Sequence, residues 1–236
     1  DVNGKGIAKL LAAGVEVVTG VEQINCEKLN KRFFRFHQSH RPYVILKWAE
    51  SADHKMAGEG EERLLITNDL TNRIVHQWRS EEAAILVGTR TALMDNPSLT
   101  NRLWTGHQPI RLVLDKDLIL PAELHLFDGS VTTIVFNTLK HDVNANPGFY
   151  QMTQNEDLVS QMLNGMYACK IQSVLVEGGA KTLQAFLDKG IWDEIRVLTN
   201  TTLKVEGGLL SPNLPPNTKT EYITLLNDLV TIYYPS

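Results

Sequence analysis

From residue 43 onward, short runs of apolar residues alternate with longer segments in which apolar positions recur every three or four residues. The short runs are typical of buried strands, and the longer segments are typical of amphipathic helices. This alternation predicts an α/β fold with a mixed, mostly parallel sheet flanked by helices. The predicted strands are residues 43–48, 84–87, 110–114, 131–136, 171–176 and 194–198.

The C-terminal segment has a different pattern. Residues 220–234 read TEYITLLNDLVTIYY, with β-branched and aromatic residues on both sides of Asn227-Asp228. Two such runs around a pair of turn-forming residues predict an antiparallel hairpin. We therefore expect the mostly parallel sheet to end in an antiparallel strand pair.

The first 40 residues predict a separate small unit. The segment GIAKLLAAG predicts a helix that ends at Gly14, residues 15–18 a short strand, and residues 22–37 a second, partly basic helix. A helix–strand–helix unit of this size buries too little apolar surface to fold alone. We expect its basic residues to form a solvated helix face. The predicted organisation is thus residues 1–40 with the linker, followed by a main domain over residues 41–236.

Composition excludes several classes of function. A net charge of −4 over 236 residues gives no general attraction to nucleic acid or to an anionic membrane. Apolar runs are too short for a membrane-spanning helix. The two cysteines and seven histidines lack the spacing of a zinc site, so we expect no metal and reduced thiols in the cytoplasm.

Charged and glycine-bearing residues follow three of the predicted strands. The first stretch, residues 46–57, contains Lys47 in an otherwise apolar strand, and the second, residues 88–102, begins at Gly88 with Arg79 just upstream. The third is Glu177-Gly178-Gly179, which joins a strand to a helix. The carboxyl ends of parallel strands meet at one edge, where α/β proteins bind ligands. A helix that starts after glycines suits a phosphate, and arginines match phosphate oxygens. Each of these features also fits a purely structural role. The glycines can form a tight turn before a packing helix, Lys47 can be a surface lysine, and Asp95 and Arg102 can form a structural ion pair.

Three stretches together resemble one family, the reductase domain of the bifunctional riboflavin-biosynthesis deaminase/reductase. They read RPYVILKWAESADHKMA, ILVGTRTALMDNPSLTNR and VLVEGGAKTLQAFL, and the similarity runs from about Arg41 to the C-terminus. Upstream, GKGIAKLLAAGVEVVTGV and LNKRFFRFH resemble the last part of that family's deaminase domain. The deaminase's zinc-binding motifs are absent from this sequence. The resemblance therefore implies a fragment with a deaminase remnant and no deaminase activity.

The resemblance implies a dihydrofolate-reductase-like fold and an NADPH-dependent oxidoreductase. The implied reaction reduces 5-amino-6-(5-phosphoribosylamino)uracil to the ribitylamino product, by ring opening of the ribose and hydride transfer to its anomeric carbon. For proton transfer it implies Lys47, Glu177 and Asp95, with the pKa of Lys47 lowered by burial. The residues implied to bind the cofactor are Ala49, Thr91, Asp95, Gly179, Ala180, Lys181, Thr182, Leu183, Gln184 and Ala185. Those implied to bind the substrate are Arg63, Arg79, Leu99, Arg102 and Glu177.

Three positions depart from the family's pattern. His54 replaces a glycine, which predicts a different bend in its loop, and Leu65 replaces a tryptophan, which removes an aromatic surface near the cofactor. Arg63 replaces a serine and offers a further phosphate contact. The alternatives that remain are a pterin or folate reductase of the same fold and a non-catalytic ligand-binding or packing module. An exposed hairpin edge also predicts a homodimer.

Overall fold

The structure is a computed structural model and describes residues 4–60, 64–216 and 219–235. The helices are α1 (Lys5–Ala12), α2 (Gln23–Leu29), α3 (Lys31–Ser39), α4 (Asp69–Glu81), α5 (Thr89–Asp95), α6 (Leu158–Ala168) and α7 (Ala180–Asp188). The strands are β1 (Tyr43–Glu50), β2 (Lys55–Ala57), β3 (Ala84–Gly88), β4 (Ile110–Leu114), β5 (Thr133–Asn137), β6 (Gly148–Gln151), β7 (Ser173–Val176), β8 (Glu194–Asn200), β9 (Leu209–Leu210), β10 (Lys219–Leu225) and β11 (Asp228–Tyr234).

A nine-stranded sheet forms the centre of the molecule, in the order β10-β11-β8-β1-β7-β3-β4-β5-β6. The strands from β8 to β6 in that order run parallel to one another, and β11 pairs antiparallel with both β8 and β10. This confirms the prediction of a mostly parallel sheet that ends in an antiparallel hairpin. The central strands are mostly apolar because helices cover both of their faces.

Each face of the sheet has its own core. Val44, Leu46 and Trp48 of β1 point to one side, where they join residues of α6 and α7 such as Met162 and Phe186. The intervening Tyr43 and Ile45 point to the other side, where α4 and α5 contribute Val75, Trp78 and Ala92. The alternation of side chains along a strand therefore builds the two layers from one segment.

Helix α4 is fixed at its start by a capping residue. The side-chain oxygen of Asn68 accepts a hydrogen bond from the Thr71 N–H at 3.0 Å and so caps the helix. The Asn68 amide also donates to the Leu225 carbonyl at 2.9 Å. The cap therefore ties α4 to the C-terminal hairpin.

Several predicted local elements were wrong. Residues 15–18 form no strand, and Asn30 divides the helix predicted over residues 22–37 into α2 and α3. The Asn30 amide donates to the Cys26 carbonyl, an interaction that satisfies the end of α2. Strand β6 and the small pair β2–β9 were not predicted, because strands of two to four residues carry too little pattern.

Helix α3 is bound to the main body by ion pairs, so the expectation of a solvated basic face was wrong. Lys31 contacts Glu194, Arg32 contacts Glu82, and Arg35 contacts Asp193, and all three carboxylates are buried. Phe36 is also buried, and its ring lies 4.7 Å from that of Tyr167. The predicted domain division at residues 40 and 41 stays a prediction.

Within the described ranges, no helix combines the length and the apolar character that a transmembrane segment requires.

Candidate functional site

The pairing of β1 with β7 brings together two of the three side chains predicted to transfer protons, Lys47 and Glu177. Leu46 of β1 is in register with Val176 of β7, so the next residues, Lys47 and Glu177, lie side by side at the carboxyl edge of the sheet. The Lys47 Nζ is 3.9 Å from the Glu177 Oε2. Register alone therefore produces this contact, although 130 positions separate the two residues in the sequence.

Arg79, from the last turn of α4, holds Glu177 in a two-pronged ion pair. Its Nε donates to Oε1 at 2.8 Å and its Nη2 donates to Oε2 at 2.6 Å, a geometry that suits a guanidinium and a carboxylate. The Arg79 Nη1 also donates to the Thr100 carbonyl at 3.1 Å. Arg79 is thus engaged within the protein on all three nitrogens.

The ion pair determines the charge of Glu177. Burial by itself would raise the pKa of Glu177, but the positive charges of Arg79 and Lys47 outweigh it and lower the pKa to about 2. Glu177 is therefore ionised at neutral pH and has no proton to donate. Its carboxylate in turn stabilises a positive charge on Lys47.

His76 is a further member of the site to which the sequence analysis gave no role. It is 6% exposed, and its Nδ1 accepts a hydrogen bond from the Arg102 N–H at 2.9 Å. The Arg102 guanidinium is exposed and donates to the Thr100 hydroxyl at 3.2 Å. The available signal was helical spacing, since His76 lies one turn before Arg79 on the same helix. Together, Lys47, His76, Arg79, Arg102 and Glu177 are called the rim cluster below.

Burial also perturbs His76. It lowers the pKa of the imidazole to about 4, and the positive charges of Arg79 and Arg102 act in the same direction. His76 is therefore neutral at physiological pH. Because its Nδ1 accepts a hydrogen bond, the ring proton lies on Nε2.

Two helices begin beside the rim cluster, and glycines make their close approach possible. α5 starts directly after β3, and α7 starts shortly after β7. A Cβ on Gly88 would lie 2.6 Å from the Thr182 Oγ1, and one on Gly178 would lie 2.9 Å from Val87 and Thr91 side-chain atoms. These glycines are therefore needed for packing between the two helix starts, in addition to any role toward a ligand.

The start of α7 has features of an anion site. Gly179 has a φ of 74°, which favours glycine, and an added Cβ would lie 3.3 Å from the Thr91 Oγ1 and 3.6 Å from the Thr182 Oγ1. Because glycine is the N-cap residue, no side chain caps the first N–H groups of this nine-residue helix. Unpaired N–H groups, two hydroxyls and the positive end of the helix dipole suit the pyrophosphate of a dinucleotide.

The remaining predicted residues have varied positions. Leu183 is buried in one core, and Leu99 is 2% exposed within the other core. Asp95 is exposed at the end of α5. The residues of this set that are half-buried are Ala49, Thr91, Ala180, Thr182 and Gln184, and those that are exposed are Lys181 and Ala185. Arg63 lies outside the described residues.

The substitutions at residues 54 and 65 have different outcomes. His54 has a φ of 60°, a conformation that glycine also adopts, so the backbone at this position does not require the different bend that was expected. Its Nδ1 lies 2.8 Å from the Glu50 Oε1, a contact that holds the ring. Leu65 is 76% exposed.

Among the residues that the structure describes, no group of three or more His, Cys, Asp or Glu side chains is placed to hold a metal ion.

Comparison with known proteins identifies relatives of the chain. The family model described as the RibD C-terminal domain matches residues 42–205. The riboflavin biosynthesis protein RibD of Bacillus amyloliquefaciens is 37% identical over 222 residues, which are 90% of this chain and 59% of that protein. RibD of Aquifex aeolicus is 32% identical over 87% of this chain and 59% of its own length. The chain thus spans about three fifths of the length of these relatives.

Solved structures agree with the sequence matches. The Thermotoga maritima diaminohydroxyphosphoribosylaminopyrimidine deaminase/5-amino-6-(5-phosphoribosylamino)uracil reductase superposes with a TM-score of 0.83 at 30% identity, over 98% of this chain and 67% of that one. The Saccharomyces riboflavin biosynthesis reductase Rib7 superposes with a TM-score of 0.66 at 21% identity, over 87% of this chain and 98% of that one, and so supports the fold alone. The fold is the predicted dihydrofolate-reductase-like one. The match over residues 42–205 shows that this chain belongs to the RibD C-terminal domain family, the reductase part of a riboflavin-biosynthesis protein.

Proposed function

We propose that the chain catalyses the NADPH-dependent reduction of 5-amino-6-(5-phosphoribosylamino)uracil to 5-amino-6-(5-phosphoribitylamino)uracil. The observation that carries the proposal is the Lys47–Glu177–Arg79 ion-pair system at the carboxyl edge of β1 and β7. It lies beside two helix starts that suit a dinucleotide. A cation, a fixed carboxylate and an anion site in this arrangement match a reductase that acts on a phosphorylated sugar.

The residues at the start of α7 and on α5 would hold the cofactor. The N–H groups that follow Gly179 and the hydroxyls of Thr91 and Thr182 provide donors for its phosphates. Lys181 is exposed in the first turn of α7 and adds a positive charge. When bound, NADPH supplies the hydride, and the protein's part is to position the substrate and handle the protons.

The reaction needs one proton from the protein or solvent for each hydride. Opening of the ribose ring breaks the bond between the anomeric carbon and the ring oxygen, and a C=N bond forms to the exocyclic nitrogen. The hydride then adds to the anomeric carbon, and the uptake of one proton overall leaves the ribityl hydroxyl and the secondary amine. Lys47 is the proposed proton donor, because Glu177 is ionised throughout the neutral range. Glu177 instead orients Lys47 and Arg79.

Arg102 is the proposed contact for the substrate phosphate. Its guanidinium is exposed and makes one hydrogen bond to the neutral Thr100 hydroxyl, whereas that of Arg79 is paired with Glu177. An exposed guanidinium can form a two-pronged contact with a phosphate. Arg79 would then serve as the residue that fixes Glu177.

The test is steady-state oxidation of NADPH with freshly generated substrate. Lys47→Ala should reduce kcat by roughly 100-fold because it removes the proton donor, while cofactor affinity stays within about twofold of the wild type. Lys28→Ala is a matched control, since Lys28 is an exposed lysine on α2. Absence of cofactor binding and of turnover in the wild type would refute the proposed reaction, and full activity of Lys47→Ala would refute the role of Lys47.

Two further features belong to the proposal. We propose a homodimer through the hairpin edge, because β10 is the outer strand of the sheet and its Tyr222 and Ile223 are exposed. A monomer mass in light scattering would contradict it.

We also propose a cytoplasmic location, which the free thiols of Cys26 and Cys169 support.

A further inference from the structure

His76 makes a contact that no catalytic step requires. Its ring is buried beneath the rim, and its Nδ1 accepts the N–H of Arg102 at 2.9 Å. α4 holds His76, whereas Arg102 lies in the segment after α5, so the bond joins two elements that are distant in the sequence. This hydrogen bond fixes the backbone at Arg102 and leaves the Arg102 side chain available for other contacts.

Helix α4 also fixes Thr100, which lies two residues before Arg102. Arg79, one turn after His76, donates to the Thr100 carbonyl at 3.1 Å. α4 therefore holds the backbone on both sides of residue 101, and the Arg102 guanidinium projects from a segment that is fixed at two points. Gln108 adds a third, because its side-chain oxygen accepts from the Asn101 N–H at 2.8 Å and its amide donates to the Asn101 carbonyl at 2.8 Å.

The charges around His76 favour its role as an acceptor. Arg79 on α4, Arg102 after α5, Lys47 on β1 and Glu177 after β7 all act on the ring, and the positive groups outnumber the single carboxylate. A protonated ring would lose the Nδ1 lone pair and would place its N–H against that of Arg102. The surroundings therefore keep the ring in the state in which the bond can form.

We propose that His76 is a positioning residue that directs Arg102 toward the phosphate of the substrate, an inference that rests on the proposed function. Loss of the acceptor would leave the Arg102 N–H without its partner and release the segment. Substrate affinity would then fall, while the chemistry at Lys47 and the cofactor site would be unchanged. The role differs from that of a core residue in that it acts through Arg102 alone.

The test compares His76→Leu with His76→Asn, alone and combined with Arg102→Ala. His76→Leu removes the acceptor, whereas the asparagine side-chain oxygen occupies nearly the position of Nδ1. We expect His76→Leu to raise KM for the substrate about tenfold, with kcat and the NADPH Kd within about twofold of the wild type. His76→Asn should restore most of the affinity. His107→Leu, at an exposed histidine in the same segment, is the control.

The double variant separates positioning from general damage. In the Arg102→Ala background, His76→Leu should change KM by less than about twofold, because the side chain that it positions is already absent. The proposal would be overturned if the effects of His76→Leu and Arg102→Ala on KM multiplied in the double variant. It would also be overturned if His76→Leu weakened NADPH binding as much as substrate binding, or if His76→Asn failed to restore substrate affinity.

A second measurement does not depend on catalysis. If the wild type shows no turnover, the proposed reaction fails, and the same proteins are then titrated with ribose 5-phosphate by calorimetry. Binding that weakens in His76→Leu, recovers in His76→Asn and disappears in Arg102→Ala supports the positioning role. Binding that is equal in all of them, or absent from the wild type, overturns it.

Discussion

Two neighbouring groups of ion pairs lie on the α4 side of the sheet, where Lys47 of the first is the register partner of Arg196 of the second. One is the rim cluster. The other, which we call the base cluster, consists of Lys31, Arg32, Glu82, Glu194 and Arg196 at the amino end of β8 and the end of α4. Both place carboxylates out of contact with water and pair them with guanidinium and ammonium groups. Only the rim cluster lies where two helices begin.

The two carboxylates of the base cluster are paired with cations of the same cluster. Glu194 accepts from Arg196 at 2.7 and 3.0 Å and from the Tyr43 hydroxyl at 2.9 Å, and Lys31 contacts its other side. Arg32 donates a hydrogen bond to Glu82, and this bond raises the pKa of Arg32 above its ordinary value although burial acts to lower it. These contacts bind α3 to the main body. In the rim cluster, by contrast, Arg102 keeps an exposed guanidinium.

A lowered carboxylate pKa does not distinguish the two clusters. In both Glu177 and Glu194 burial acts to raise the pKa, and neighbouring positive charges outweigh it and lower the pKa. What differs is location, because the carboxyl ends of the strands and the helix N-termini create a place for a ligand. The comparison shows that position in the fold, and not charge burial, identifies the candidate site.

The largest effect on stability is expected in the base cluster. Glu82→Ala should lower the free energy of unfolding by about 3 kcal/mol, because it removes the carboxylate that pairs with the partly buried guanidinium of Arg32. Urea denaturation measures this. The KM and kcat of the folded fraction should stay within about twofold of the wild type, and a large loss of activity per folded molecule would mean that the two clusters are coupled.

In the rim cluster the expected effect is on turnover. Glu177→Gln keeps the shape of the side chain but removes the charge that orients Lys47, so kcat should fall roughly 100-fold, equivalent to about 2.7 kcal/mol. Stability should change by less than in Glu82→Ala, because the amide oxygen still accepts from Arg79. A variant that unfolds but, while folded, retains wild-type kcat would place Glu177 with the structural ion pairs.

The pH dependence of stability offers a finer distinction. The pKa of His76 is lowered from 6.5 to about 4 in the folded protein. The unfolded chain therefore binds a proton first, and stability that is present above pH 6.5 is lost as the pH falls toward 4. Between pH 7 and pH 5 the His76 contribution should change by about 2 kcal/mol. His76→Asn should flatten this part of the profile in urea titrations, and an unchanged slope would contradict the assignment.

The smallest effect on stability is expected at Asp193, which lies next to Glu194 in the sequence and has several partners. Asp193 pairs with Arg35 at 2.7 Å, but it also accepts two hydrogen bonds from Arg41 and one from the Val44 N–H. Since Arg35 is half exposed, Arg35→Ala should cost only about 0.5 kcal/mol in the free energy of unfolding. Arg41→Ala, measured in the same way, should cost more, and the reverse order would show that the exposed pair dominates.

Much of the fold follows from local sequence. Mostly apolar runs such as residues 110–114 and 171–176 predicted strands because a strand that is covered on both faces buries side chains on each of them. The alternating C-terminal segment predicted the hairpin for a related reason, since one of its faces packs against the core. Very short strands and the break at Asn30 were missed, because pairing partners and side-chain caps decide them.

The amino-acid sequence by itself determined the strands, the glycine turn at residues 178 and 179, and the set of charged residues that follow the strands. Only the tertiary structure decided how those charges pair. The register of β1 with β7 placed Lys47 beside Glu177, and α4 directed Arg79 to the carboxylate and His76 to Arg102. The basic residues of α3 proved to be structural for the same reason. Pairing depends on distances across the fold, and sequence periodicity reports only which face of its own element a residue occupies.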